Sequence, residues 1–396
     1  MMRKALRGLL TGLTLMALVA VLAAGCQAIA RDETTQGQQD THENGHADEA
    51  DHGHEDGDAH EADHGHGDED DHADEADHSH EDGHEHETNH GHGHQDVIPH
   101  LDAVPLSEGE RLRVVATTSV VADVVSQVGG AHIDLTHLIP LGADSHAFEP
   151  TPRDVAMLAD AHVIFINGAG LEQFLDTLLE NVEGVPVVPV SAGIELLPFE
   201  LDDHNDDHAD DDHHDDDHHH GEFDPHVWFD PNQVLVWVHN IEHALSDLDP
   251  QHAEIYEANA EAYEAELEAL DDWIQDQVAS VPEEERLLVT DHAFLTYFAA
   301  QYGFEQIGAV IPATTSVAEP SAQELAALQD AISQYPVPAI FVGHEVSSRV
   351  AEQIAADLGI DLVFIYSESL SDADGPAGSY LQFMRYNVNA IVDGLR

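Results

Sequence analysis

The sequence predicts an α/β protein of two lobes with mainly parallel sheets, joined by one long bridging α-helix. Three observations carry this. Apolar, strand-like runs alternate with helical segments between residues 110 and 248, the same alternation resumes between 283 and 396, and the stretch 249–282 reads as one helix between turns. Strands that alternate with helices imply crossover connections and therefore parallel pairing.

In chain order, Arg111–Thr117 reads as a strand, Val120–Val128 as a helix and His132–Ile139 as a strand. Asp154–Ala161 is helical, Val163–Asn167 is a buried-type strand, Leu171–Asn181 a helix and Val185–Val190 a strand. Asn232–Leu248 is helical. Pro250 then opens the bridging helix, Ala253 to Val278, with Ile255, Tyr256, Ala260, Tyr263, Leu267, Leu270 and Ile274 close to helical spacing, and Pro282 ends it. At about 1.5 Å per residue it is about 39 Å long, enough to span a small domain or link two. In the second lobe, Arg286–Thr290, Gly308–Ile311, Ala339–Val342 and Leu362–Tyr366 read as strands. His292–Tyr302, Ser321–Gln334 (Ser321 as N-cap), Ser347–Leu358 and Gly378–Leu395 read as helices. Ligands of such folds lie outside the carboxyl ends of the strands and at domain interfaces.

The rest of the 396-residue chain does not read as a folded domain. Arg3, Lys4 and Arg7 precede an uncharged apolar run, Leu9–Ala24, that closes in Leu22-Ala-Ala-Gly-Cys26. This is the order of an export signal, 1–25, too short for a stable span. Cys26 is the only cysteine, so no intrachain disulfide is possible. Residues 26–109 form a tail dominated by His, Asp, Glu, Gly and Ala, expected to be disordered without metal. A second such tract, 202–220, carries His204, His208, His213, His214, His218, His219 and His220 among aspartates and interrupts regular sequence as a long surface loop. Its imidazoles, like those of the tail, are candidates for auxiliary metal capture. The pattern H-E-x-x-H at His42–His46, His60–His64, His80–His84 and His86–His90 lacks an apolar helical face and follows from composition alone. With 80 acidic against 11 basic residues and a formal charge of −69, the chain should repel nucleic acid and anionic membranes and concentrate cations.

Four positions carry candidate chemistry, each after a predicted strand or opening the next element. His146 lies in Gly142-Ala-Asp-Ser-His146-Ala-Phe-Glu-Pro150 and His226 in Asp224-Pro-His226-Val-Trp-Phe-Asp-Pro231. His292 lies in Thr290-Asp-His292-Ala-Phe and Glu368 in Ile365-Tyr-Ser-Glu368-Ser-Leu370. Two come from each lobe. Three imidazoles suit zinc, with or without a carboxylate oxygen as fourth ligand. Asp224 is placed either to orient its histidine or only to cap the Pro225 turn.

These contexts, in this order, resemble the metal-binding solute-binding proteins of ABC importers, often called cluster A-I. The resemblance covers nearly all of 111–396 and includes Asn167-Gly-Ala-Gly-Leu-Glu172, the Asp-Pro-His-Val-Trp box and Gly378-Ser-Tyr-Leu-Gln-Phe-Met-Arg-Tyr-Asn387. It implies two α/β lobes bridged by a long helix with the metal between them, and places ligands at His146, His226 and His292. Glu368 stands where that family usually has Asp. Manganese members more often carry a carboxylate at the position of His292, so the resemblance implies Zn2+, with Mn2+ as the alternative. Cys26 resembles the acylated cysteine of a bacterial lipoprotein, with Leu22 one place further from it than is usual. The expectation is a monomeric, lipid-anchored, extracytoplasmic zinc-binding protein, not an enzyme, that works with an importer's permease and ATPase. The rivals are a surface adhesin or metal-storage lipoprotein and, from another class, a zinc metallohydrolase, for which no separate general base stands out.

Overall fold

The computed structural model describes residues 98–198, apart from 180, 181 and 183, and residues 223–396. The expected export signal, Cys26, the expected tail to residue 97 and all seven histidines of the 202–220 tract lie outside the described residues. Packed structure begins before the tail's expected end at 109. Ile98 is buried in the core, with Leu101, Val104 and Leu106 packed against it, and the amides of Leu101 and Val104 bond Asp247 Oδ2 (2.8 Å) and the Leu248 carbonyl (2.9 Å).

The first lobe runs β1 (Leu112–Ala116), α1 (Ser119–Gly129), β2 (Ile133–His137), α2 (Pro152–Ala159), β3 (Val163–Ile166), α3 (Asp176–Leu179) and β4 (Val187–Pro189). Then come α4 (Pro231–Leu248) and the bridging helix α5 (Ala253–Val278). The second lobe follows as β5 (Leu287–His292), α6 (Thr296–Tyr302), β6 (Glu305–Ile311), α7 (Ala322–Gln334), β7 (Ala339–Gly343), α8 (Arg349–Leu358), β8 (Asp361–Ile365) and α9 (Tyr380–Gly394). Each lobe has a four-stranded, all-parallel sheet, in the order β2-β1-β3-β4 and β6-β5-β7-β8. Both windings leave their first strand for one edge and then cross to the other side. The switch points, where such folds bind ligands, therefore fall between β1 and β3 and between β5 and β7.

The two-residue period of the strands divides each sheet between two cores. In β1, Val114 and Ala116 enter a large central core while Val115 faces an outer one with Ile164 and Leu158. In the second lobe, Ala339 and Phe341 face the central core and Ile340 and Val342 an outer one with Leu328 and Ile354. The central core is common to both lobes and includes residues of α1, α4, α5, α6 and α9. In α5, Tyr256, Ala260, Tyr263, Leu267, Leu270, Ile274 and Val278 form the buried stripe, as their spacing predicts, whereas Ile255 is 39% exposed.

Three local expectations change. The helix expected over Leu171–Asn181 is a 3-10 turn at Gln173–Leu175 followed by the single turn of α3. Gly168, Ala169 and Gly170 all have positive φ, and the buried Glu172 carboxylate accepts the amides of Asn167 and Gly168, so the chain is held in a tight loop where a helix would begin. His292 ends a strand rather than opening a helix. β6 and β7 flank β5, and His292 pairs with Ile311, so the ladder runs on to that residue. β6 starts at Glu305, earlier than its apolar run suggests. Ser321 caps α7 as expected, in a reciprocal box with Glu324.

Candidate metal centre

Backbone geometry sets the four candidate side chains at the carboxyl ends of the two sheets. His146 lies in the segment between β2 and α2, and His226 opens the 3-10 turn Val227–Phe229 that leads into α4. His292 is the last residue of β5, and Glu368 follows β8. Asp230 caps α4, with Pro231 at the first helical position. The side chains of Trp237 and Asn240 fasten the helix to Ser191 Oγ and to the carbonyls of Val190 and Ala192. The turn that carries His226 is thereby held against the end of the first sheet. On the other side, Trp228 Nε1 donates to the Ser367 carbonyl (3.1 Å), which brings the Glu368 segment to the same place.

The four groups converge. His146, His226, His292 and Glu368 each offer a ligand atom, and these atoms all lie within 4.8 Å of one another. His146 Nε2 is 3.2 Å from His226 Nε2. Glu368 Oε1 is 3.2 Å from His226 Nε2, 3.3 Å from His292 Nε2 and 3.7 Å from His146 Nε2. The side chains of His226, His292 and Glu368 are fully buried, and that of His146 is 8% exposed. His146 also lines a cleft of about 720 Å3 together with Phe174, Phe223, Thr314 and Thr315.

The outer nitrogens are held as well. His226 Nδ1 lies 2.6 Å from Asp224 Oδ1, and His292 Nδ1 lies 2.7 Å from Asp291 Oδ1. A carboxylate at Nδ1 keeps a proton there and points Nε2 toward the centre. The far oxygen of Asp291 accepts the Gly343 amide at 2.8 Å, which ties His292 to the end of β7. Glu368 Oε2 accepts from Ser145 Oγ, leaving Oε1 to face the three imidazoles. Burial alone would push the imidazole of His226 down, but Asp224 and Glu368 outweigh it and the group sits above its ordinary range. His292, under the same opposing effects of burial against Asp291 and Glu368, is raised to about 10. Burial would push the Glu368 carboxyl up, yet the three imidazoles, His146 first, hold it well below the usual carboxylate range. Three imidazole nitrogens and one carboxylate, buried and pre-oriented, form chemically a receptor for a divalent cation that displaces the imidazole protons.

The four residues expected from the sequence lie together, with Asp224 beside His226. Asp291 and Ser145, next to His292 and His146, were not among the expected residues. The signal for Asp291 was an acidic residue one position before a candidate ligand, echoing Asp224-x-His226. Ser145 carries no such signal, because Glu368 reaches it from the other lobe.

A family model described as "ZnuA: Zinc-uptake complex component A periplasmic" matches residues 114–394. The chain belongs to this family. It is a metal-binding solute-binding component of an ABC importer. It is 34% identical to the manganese-binding lipoprotein MntA of Halalkalibacterium halodurans over 289 residues, 73% of this chain and 90% of that one. It is 30% identical over 297 residues to the manganese ABC transporter substrate-binding lipoprotein PsaA of Streptococcus mitis, 73% of this chain and 91% of that one. Among solved structures, the periplasmic zinc-binding protein TroA from Treponema pallidum aligns with a TM-score of 0.63 at 27% identity, covering 72% of this chain and 99% of TroA. The ZnuA family is thus a transport family with the two-lobed architecture found here. Among the described residues, no helix is long and apolar enough to cross a membrane.

Proposed function

We propose that this protein captures zinc outside the cytoplasm and hands it to the permease and ATPase of an importer. In this reading zinc is the cargo, and it binds Nε2 of His146, His226 and His292 with Glu368 Oε1 as fourth ligand. The observation that carries the proposal is the spacing of those four atoms. A tetrahedron of bonds about 2.0–2.1 Å long has edges of about 3.3–3.4 Å, and four of the separations measure 3.2, 3.2, 3.3 and 3.7 Å. Three imidazoles and one carboxylate oxygen suit zinc, whereas manganese favours oxygen-rich sites. Manganese is the second reading, because MntA and PsaA are named for it and each aligns with 73% of the chain.

Capture replaces protons by metal. His292, raised to about 10, keeps its second proton through neutral pH without metal, and His226 is shifted in the same direction. Zinc must displace those protons, and affinity rises with pH by about tenfold per unit for each proton released. On the same reading Cys26 is the lipid attachment site, the His-rich tail and 202–220 tract raise the local metal concentration, and the protein works as a monomer.

The test is a competition titration of the full-length protein against chromophoric chelators, repeated at pH 5.5, 6.5 and 7.5. Tryptophan emission serves as a local readout, because the ring of Trp228 lies 5.1 Å from that of His226. The expected result is one tight zinc site that weakens by at least about tenfold per pH unit on acidification, is much weaker for manganese, and is lost in His226→Ala. Tighter manganese than zinc binding would transfer the assignment to the second reading. A pH-independent affinity, or a tight site that survives His226→Ala, would overturn it.

A further inference from the structure

The segment that carries His146 is fastened mainly to the opposite lobe. The geometry points to one of these fastenings, the Asp144–Ser316 pair, as a latch that sets how fast the cargo enters and leaves. The inference rests on the reading of His146 as a metal ligand.

His146 is the one candidate ligand whose side chain is not fully buried, and it borders the cleft. Its segment makes three hydrogen bonds across the lobes. The Gly142 amide donates to Ser369 Oγ at 2.9 Å, Ser145 donates to Glu368, and Asp144 Oδ2 accepts from Ser316 Oγ at 2.5 Å. The first two lead to the segment that holds the carboxylate ligand. The third leads to the connection between β6 and α7, which carries no candidate ligand and whose Thr314 and Thr315 line the cleft opposite His146. The other oxygen of Asp144 accepts the backbone N–H of His146 itself at 2.9 Å. One carboxylate therefore joins the exposed ligand to the far lip of the cleft.

A route that parts the lobes would tear the core they share. Swinging the 142–146 segment outward breaks only a few hydrogen bonds, and His146 is the first ligand to go. The Asp144–Ser316 bond contains no metal-ligating atom, so it stabilises the closed segment equally with and without cargo. Removing it raises the open population in both states by one factor. Entry and exit then accelerate together while Kd is unchanged. A residue that merely positioned His146 would instead raise the exit rate alone and weaken Kd.

Stopped-flow tryptophan emission on the full-length protein measures both rates, with zinc mixing for entry and an EDTA chase for exit. Ser316→Ala is expected to raise both rates by about 10- to 100-fold, as loss of one hydrogen bond to a charged group does, with Kd kept within about twofold. Ser316→Thr, which retains the hydroxyl, is expected to keep the wild-type rates. Unchanged rates in Ser316→Ala, or a faster exit alone with a weaker Kd, would overturn the latch. His226→Ala separates the two levels. If it shows the same emission change and rates as the wild type, the metal site itself is misassigned, whatever Ser316 does.

Discussion

Asp291 shows how much a single neighbouring residue contributes to the site. One oxygen holds His292 Nδ1 and the other holds the Gly343 amide, so the imidazole is fixed by both its own strand and the next one. An Asn at this position has one acceptor oxygen and cannot serve both donors. Asp291→Asn is therefore expected to weaken zinc binding by about 10- to 100-fold while the fold is kept. Circular dichroism and competition titration on the same sample check this, and an unchanged affinity would show that His292 needs no such support. At this scale the sequence was informative where function sits in short local patterns. His146, His226, His292 and Glu368 stand in recognisable contexts, and Asp224 lies two positions from its histidine. Ser145 and Asp144 were not legible, because what defines them is a partner more than 150 positions away, at Glu368 and Ser316.

At the scale of elements, the candidate ligands depend on how strand ends are packed. Gly343 closes β7 directly against Ser367, the residue before Glu368. A methyl group at Gly343 would land on Ser367 Oγ and lie 3.1 Å from Ser367 Cβ, so the backbone leading to Glu368 would have to shift. Gly343→Ala is expected to cost about 1–3 kcal/mol of stability and to loosen zinc binding as well. Thermal melts with and without zinc check both effects, and a stabilised variant with native affinity would contradict this packing. Strand and helix order was largely legible because apolar periodicity survives in both lobes. The helix expected after Leu171 was not, since three successive positive φ angles and the buried Glu172 hold a loop there. The end of β5 was misread for a related reason: His292 owes its extended backbone to pairing with Ile311, which its own neighbours in sequence do not reveal.

For the whole molecule, the alternation of strands and helices foretold two parallel-sheet lobes and the bridging helix, but not that the lobes share one core. Phe229, just before α4, meets Phe294 and Phe383 of the second lobe at ring separations of 5.4 and 5.6 Å. Together with α1, α4, α5 and α9 they form one continuous apolar cluster. Calorimetry of the full-length protein is accordingly expected to show a single cooperative transition, and Phe229→Ala to lower the stability of both lobes together by about 3–5 kcal/mol. Two separable transitions would mean that the lobes are independent. The central claim is that this shared architecture brings three imidazoles and one carboxylate together around a metal cargo. The most direct test is an anomalous-scattering map at the zinc edge from crystals of the protein loaded with one equivalent of zinc. The account predicts one strong peak about 2.0–2.1 Å from Nε2 of His146, His226 and His292 and from an oxygen of Glu368. A peak elsewhere, with these four side chains hydrogen-bonded only to one another, would contradict it.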